Sequence, residues 1–250
     1  MKSTIRTQVP ALLLCILAPC LGFFLRLNQL RLERHADGTV AWGGVYSVAL
    51  LILCGLFLLA LICLLLPLNK RPTGMGAFPV HPLPNGLLLL GAAALLAGNV
   101  LNWNSGATGA LVSLLGIAAA VFAALFALSR LRKKIPTPLL YMFVSLYLGL
   151  HLILSFKNWN SDPAVQDYCY TLLAILCAML AIFQLAAFCF GKGKRRITIF
   201  WSLAALLFCA VSLADGVHGG DLATLCIHAG LLLLTAVHGV CLLLAPEKTN

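Results

Sequence analysis

Residues 221–244 read DLATLCIHAGLLLLTAVHGVCLLL. After Asp221 the run holds no charged residue. It is longer than the about 20 apolar residues a helix needs to cross a bilayer. Yet it contains two histidines and two threonines. On a helix turning about 100° per residue, with Thr224 at zero, Asp221 falls near +60°, His228 near +40°, Thr235 near +20° and His238 near −40°. Every strongly polar side chain of the run therefore shares about one third of the circumference. Such a face turns away from lipid, toward a bundle or a wet cavity.

Seven more apolar runs precede it, at 10–28, 43–66, 86–103, 107–129, 138–156, 166–190 and 197–214. The chain is 62% hydrophobic and 10% charged, with a mean hydropathy of +1.01. Soluble domains lie near 45–50% apolar and about 25% charged. The expected fold is all-α, a polytopic membrane helix bundle of about eight transmembrane helices, with no length left for a soluble domain. The longest connection, 67–85, contains Pro67, Pro72, Pro79, Pro82 and Pro84 and reads as an extended linker.

The formal charge of +10 raises the question of nucleic acid, and its distribution answers it. With the N-terminus inside, 13 of the 17 basic residues fall on cytoplasmic segments, and Arg26, Arg31, Arg34 and Lys157 fall outside. This positive-inside bias predicts a plasma-membrane protein with both termini cytoplasmic and no nucleic-acid partner. Of the acids only Glu247 lies inside. Trp42, Tyr46, Trp103, Trp159, Tyr168 and Tyr170 fall at outer ends, and Tyr141 and Trp201 near inner ends, as interfacial aromatics do. The first run lacks a small-x-small cleavage site and reads as an uncleaved helix bent at Pro19. The ten cysteines form no C-x-x-C pair and read as packing residues.

The two halves look alike. LGFFLRLNQL aligns with LGLHLILSFK, and GALVSLLGIAA with GDLATLCIHAG, matching Gly109 with Gly220 and Ser113 with Thr224. This suggests two four-helix units, 1–134 and 135–250, with the proline-rich linker present only in the first. Four helices is an even number, so such a 4+4 repeat is parallel. The competing explanation is chance similarity between Leu-rich helices. In the fourth run Gly106, Gly109, Ser113, Gly116, Ala120, Ala123 and Ala127 form a small-residue stripe, as Gly91, Ala94 and Gly98 do in the third. Small stripes let membrane helices approach closely.

The candidate polar intramembrane face comprises Thr224, His228, Thr235 and His238, with His151, Tyr147 and Gln184 as partners. His151 lies about five residues, and His228 about seven, from the outer ends of their runs, which puts them at similar depth. Tyr147, His151 and Ser155 form one i, i+4 stripe. In one reading two facing histidines hold a haem iron, a metal or a quinone. In the other, the favoured one, they hydrogen-bond between helices. Gln184 reads either as lining a path or, more often, as glue between two helices, and Asn99 and Asn102 read the same way. The motif NWNS occurs at 102–105 and 158–161, as either a substrate-gripping edge or an interfacial tryptophan between helix-end asparagines. Asp215, His218 and Asp221 share the last outer loop, where solvation competes with a cation site.

No carboxylate is placed firmly within a span, which argues against a pump built on buried acids. Walker, zincin and nucleophile-elbow motifs are absent, so no catalytic residue, metal ligand or cofactor is assigned. The stretches LRLNQLRLERHADGTV (25–40) and DYCYTLLAILCAMLAIFQLAAFCFGKGKRR (167–196) resemble uncharacterised multi-pass membrane proteins of anaerobic Gram-positive bacteria. The resemblance implies a bacterial plasma membrane and no particular activity.

The leading expectation is a non-catalytic scaffold or accessory subunit. It would contact lipids, other membrane proteins or copies of itself through small-residue faces. The alternative is a small transporter or carrier with a substrate between the two units. A haem- or quinone-binding redox protein stands third.

Overall fold

The structure is a computed structural model and describes residues 2–35, 39–41, 43–68, 74–78, 81–104, 106–160 and 165–245. Trp42, Lys70, Arg71, Pro72, Pro79, Ser105, Ser161, Asp162, Glu247 and Lys248 lie outside the described residues. Among those residues the chain is all-α, with eight helices long and apolar enough to cross a membrane. They are α1 (Lys2–Leu32), α2 (Val45–Leu65), α3 (Pro82–Leu101), α4 (Gly106–Leu131), α5 (Pro138–Trp159), α6 (Cys169–Cys189), α7 (Arg195–Gly219) and α8 (Leu222–Leu244). These are the apolar runs of the sequence, so the chain is a multi-pass membrane helix bundle.

Local chemistry sets the ends. Pro82 and Pro138 open α3 and α5, where a missing N–H costs no hydrogen bond. Gly220 ends α7 in the left-handed conformation, φ 67°, which a Cβ disfavours. Asp221 then accepts from the N–H groups of Ala223 and Thr224 at 3.0 and 3.3 Å, capping α8. At the other end of α8 the Arg195 guanidinium donates to the carbonyls of Leu242 (2.9 Å), Leu243 (3.4 Å) and Ala245 (2.5 Å). These are carbonyls a helix terminus otherwise leaves bare. Arg196 does the same for Leu66 after α2.

Helices α3, α4, α5, α6 and α8 form a ring in which α6 and α8 meet along a shorter seam. Helix α7 backs that seam, and α1 and then α2 pack outside α7. Accordingly α7 is the most buried span, at 78% of its apolar window. The ring's closest contact is between α3 and α8. A Cβ on Gly230 would stand 2.7 Å from the Gly91 carbonyl and 2.8 Å from the Leu95 nitrogen. On Gly98 it would stand 2.8 Å from the Ala223 carbonyl. The small residues of α3 thus serve backbone contact with α8. Leu51, Leu56, Leu59 and their neighbours on the outward side of α2 are exposed, as lipid-facing residues are.

Two sequence expectations need correction. Helix α7 continues past residue 214, so Asp215 lies inside a span. It is tolerated there because Arg26 pairs with it. The segment 67–85 is not simply an extended linker. Met75–Ala77 form a short 3-10 turn and Phe78 is buried against Phe188, ring centroids 5.1 Å apart. An aromatic side chain finds more burial inside the bundle than beside it.

Candidate functional site

The ring is filled along most of its length and open at one end. At the basic end, where Arg130, Lys192, Lys194 and Arg195 gather, Phe126 of α4 stacks on Tyr141 of α5 with centroids 3.6 Å apart. Both meet His238 of α8, and Phe78 closes against the same imidazole at 5.7 Å. His238 is saturated. Its Nδ1 lies 2.6 Å from the Leu234 carbonyl and its Nε2 3.2 Å from the Tyr141 hydroxyl. Thr235 donates to the Leu231 carbonyl at 2.8 Å. His238 thus ties α8 to α5, while Thr235 bonds back to its own helix, and neither turns an unmatched atom to the interior.

One level further along the ring, Tyr147 of α5 donates to the Asn99 side-chain carbonyl at 2.9 Å. Asn99 donates in turn to the Leu95 carbonyl, 2.8 Å. Its amide lies over Gly116 of α4, where a Cβ would stand 1.9 Å away. Gly116 thus makes room for a hydrogen bond between two other helices. Tyr147 also contacts the His151 ring, centroids 5.8 Å apart.

Beyond this layer the ring opens into a polar vestibule of about 390 Å³, within the about 300–1,000 Å³ usual for small-molecule sites. His151, Ser155, Asn158 and Trp159 come from α5, Thr171 from α6, and Thr224 and His228 from α8. Asn102, Gly109 and Val112 complete it from the α3–α4 side. The i, i+4 stripe of α5 and the i, i+4 pair of α8 are what aim these groups at one volume. His151 and His228, placed at similar depth by the sequence, do line the same cavity.

His228 stands apart from the rest. It is 3% exposed. Its Nδ1 lies 2.9 Å from the Thr224 carbonyl, and its Nε2 is buried with no hydrogen-bond partner among the described residues. Buried imidazole nitrogens normally find one. The Ser113 hydroxyl, one turn inward of Gly109 on α4, is likewise unpartnered.

A second network flanks the vestibule at the same end. Arg26 of α1, 1% exposed, donates Nε to Asp215 at 2.8 Å, Nη1 to Gln29 at 2.8 Å and Nη2 to the Asp167 carbonyl at 2.8 Å. Gln29 reaches Ser47, and the Glu33 carboxylate accepts from the N–H groups of Tyr46 and Ser47 at 2.7 and 3.0 Å. An acid thus covers the N-terminus of α2. Sequence reasoning passed over these residues, though Arg26, Gln29 and Glu33 recur at three- and four-residue steps. Ser212 of α7 donates to the vestibule residue Thr171 at 3.4 Å.

The structure separates the proposed cluster of Asp215, His218 and Asp221. Asp215 pairs with Arg26, His218 lies 3.2 Å from Arg34, and Asp221 caps α8. A carboxylate beside a guanidinium or a helix start has a better partner than a third loop residue. Gln184 is half-buried on α6 and does not line the vestibule. No group of three or more His, Cys, Asp or Glu placed to hold a metal occurs among the described residues.

Comparison with family models, curated proteins and solved structures finds no match to this chain.

Proposed function

We propose that this chain is a small plasma-membrane transporter or carrier that holds a solute in the vestibule between its two halves. The observation that carries the reading is the unpartnered, buried Nε2 of His228 in a polar cavity built from both halves. A bilayer-embedded protein gains nothing structurally from such an atom. The basic residues at the opposite end support cytoplasmic termini, and the vestibule then faces outward. The aromatic cluster of Phe78, Phe126, Tyr141 and His238 seals the inner end.

The 4+4 parallel repeat belongs to this reading. In each of the hairpins α1–α2, α3–α4, α5–α6 and α7–α8 the two helices pack together, as the repeat expects. The extensive α3–α8 contact has no comparable counterpart between α7 and α4. Duplication followed by divergence accounts for both facts.

The test is native mass spectrometry of protein extracted in mild detergent from its own membrane. A stoichiometric added mass that is lost in His228→Ala and retained in His238→Ala supports the reading. A bare protein that also gains no mass from an extract of polar metabolites refutes it.

The non-catalytic scaffold is the second reading. It is supported by an apolar groove of about 860 Å³ along α4, α5 and α6, lined by Phe122, Met142, Phe143, Leu146, Met179 and Phe183. It expects full tolerance of substitution at His151 and His228.

A further inference from the structure

The atoms lining the vestibule narrow the chemistry of its ligand, given the solute-binding reading above. A carbonyl oxygen can only accept. The 2.9 Å contact between His228 Nδ1 and the Thr224 carbonyl therefore puts the imidazole proton on Nδ1. In the neutral ring Nε2 is then a lone-pair acceptor. It is buried, and no donor among the described residues reaches it. An acceptor in this position loses its hydration and regains nothing unless a ligand supplies an N–H or O–H.

The remaining walls limit charge. Among the described residues the lining holds no Asp, Glu, Lys or Arg. Asp221, at the start of α8, is committed to the N–H groups of Ala223 and Thr224 and to the Thr224 hydroxyl. Arg26, in the flanking network, is committed to Asp215, Gln29 and Asp167. An ion that gave up its water here would meet no counter-charge. Hydroxyl and amide groups (Ser155, Asn158, Thr171) and apolar groups (Val112, Leu154, Ile227, Trp159) both line it. A cavity with both kinds of wall suits a small body with one polar end.

We infer that the vestibule takes an uncharged small molecule whose leading group donates an N–H or O–H hydrogen bond to His228 Nε2. Primary amides, ureas and alcohols with a compact apolar part are the class.

The experiment uses the full chain in lipid nanodiscs, labelled with 15N-histidine. The His228 signals are assigned by their loss in His228→Gln. In the empty protein Nε2 should resonate as an unprotonated nitrogen. Four probes are then titrated: nicotinamide, N,N-dimethylnicotinamide, nicotinate and Zn²⁺. Nicotinamide should move the His228 Nε2 resonance and leave that of His238 in place. The dimethyl compound has lost the donor and nicotinate carries a charge, so each should bind about tenfold more weakly or worse. Val112→Phe fills the cavity from α4 without touching His228, and should abolish the nicotinamide response while keeping the Nε2 signal unprotonated.

A protonated Nε2 overturns the inference even if a solute is bound, and the solute-binding reading then survives alone. An unprotonated Nε2 that answers to no uncharged donor overturns both. Equal binding of the dimethyl compound or nicotinate, or a response to Zn²⁺ alone, also overturns the inference.

Discussion

Arg26 on α1 and Asp215 on α7 meet at 2.8 Å although 189 positions separate them in the chain. The guanidinium is fully covered and the carboxylate keeps 23% of its side-chain surface exposed. The pair is the chief polar link between the outer helix α1 and the central helix α7. It explains how each charge sits at a membrane-embedded helix contact.

Removing one partner leaves the other without its counter-charge. Asp215→Leu is therefore expected to destabilise by roughly 3–5 kcal/mol, the range for broken buried pairs, with less if water reaches Arg26. The double variant Arg26→Met/Asp215→Leu should recover most of the loss. Unfolding of the two variants and the parent protein in lipid discs checks this. Equal losses in the single and double variants would show that the pair does not act as a unit.

The α3–α8 contact should be intolerant of even one methyl group. Gly230→Ala presses against backbone atoms of Gly91 and Leu95, which cannot rotate away. Overpacking of this kind costs about 1–3 kcal/mol. Gly55→Ala, with open space at its Cβ, should be neutral. Melting of the two variants side by side decides.

Tyr147, Asn99 and Gly116 should behave as one element. A double-mutant cycle of Tyr147→Phe and Asn99→Ala is expected to give a coupling of about 0.6 kcal/mol, and no more than about 1.7 kcal/mol, as measured for other interhelical hydrogen bonds in membranes. Gly116→Ala should abolish that coupling by displacing the Asn99 amide. A coupling unchanged in the Gly116→Ala background would contradict the geometry.

The two histidines of α8 should separate cleanly. His238 is bonded at both nitrogens and packed among three aromatic rings, so His238→Ala should lower stability and leave solute binding intact. His228→Ala should do the opposite, because it removes an unsatisfied acceptor. Thermal melting paired with solute mass measurement reads both effects.

Much of this was legible in the sequence. The apolar runs mark the eight helices because a bilayer leaves few alternatives to continuous apolar helices. The arc of polar residues on α8 located a buried face, and counting from helix ends put His151 and His228 at one depth. Asp215 was misplaced because hydropathy ends a span at a charge, and its partner lies in another helix far away in sequence. Gln184 looked equivalent to the histidines because a mid-span amide gives no sign of which neighbour it faces. Phe78 was hidden among prolines that suggested an exposed linker. The sequence set the scaffold reading ahead of the carrier. We put the carrier first, on an unsatisfied atom of a cavity-lining residue that only coordinates reveal.

The central claim is that the vestibule opens to one side of the membrane alone. Single cysteines at Asn158, Thr224 and Thr235, in a background without the native cysteines, would be exposed in intact cells to a membrane-impermeant maleimide. The account predicts labelling at 158 and 224 from outside and none at 235 from either side. Labelling of 224 only from the cytoplasmic face, or no labelling at 158 and 224, would contradict it.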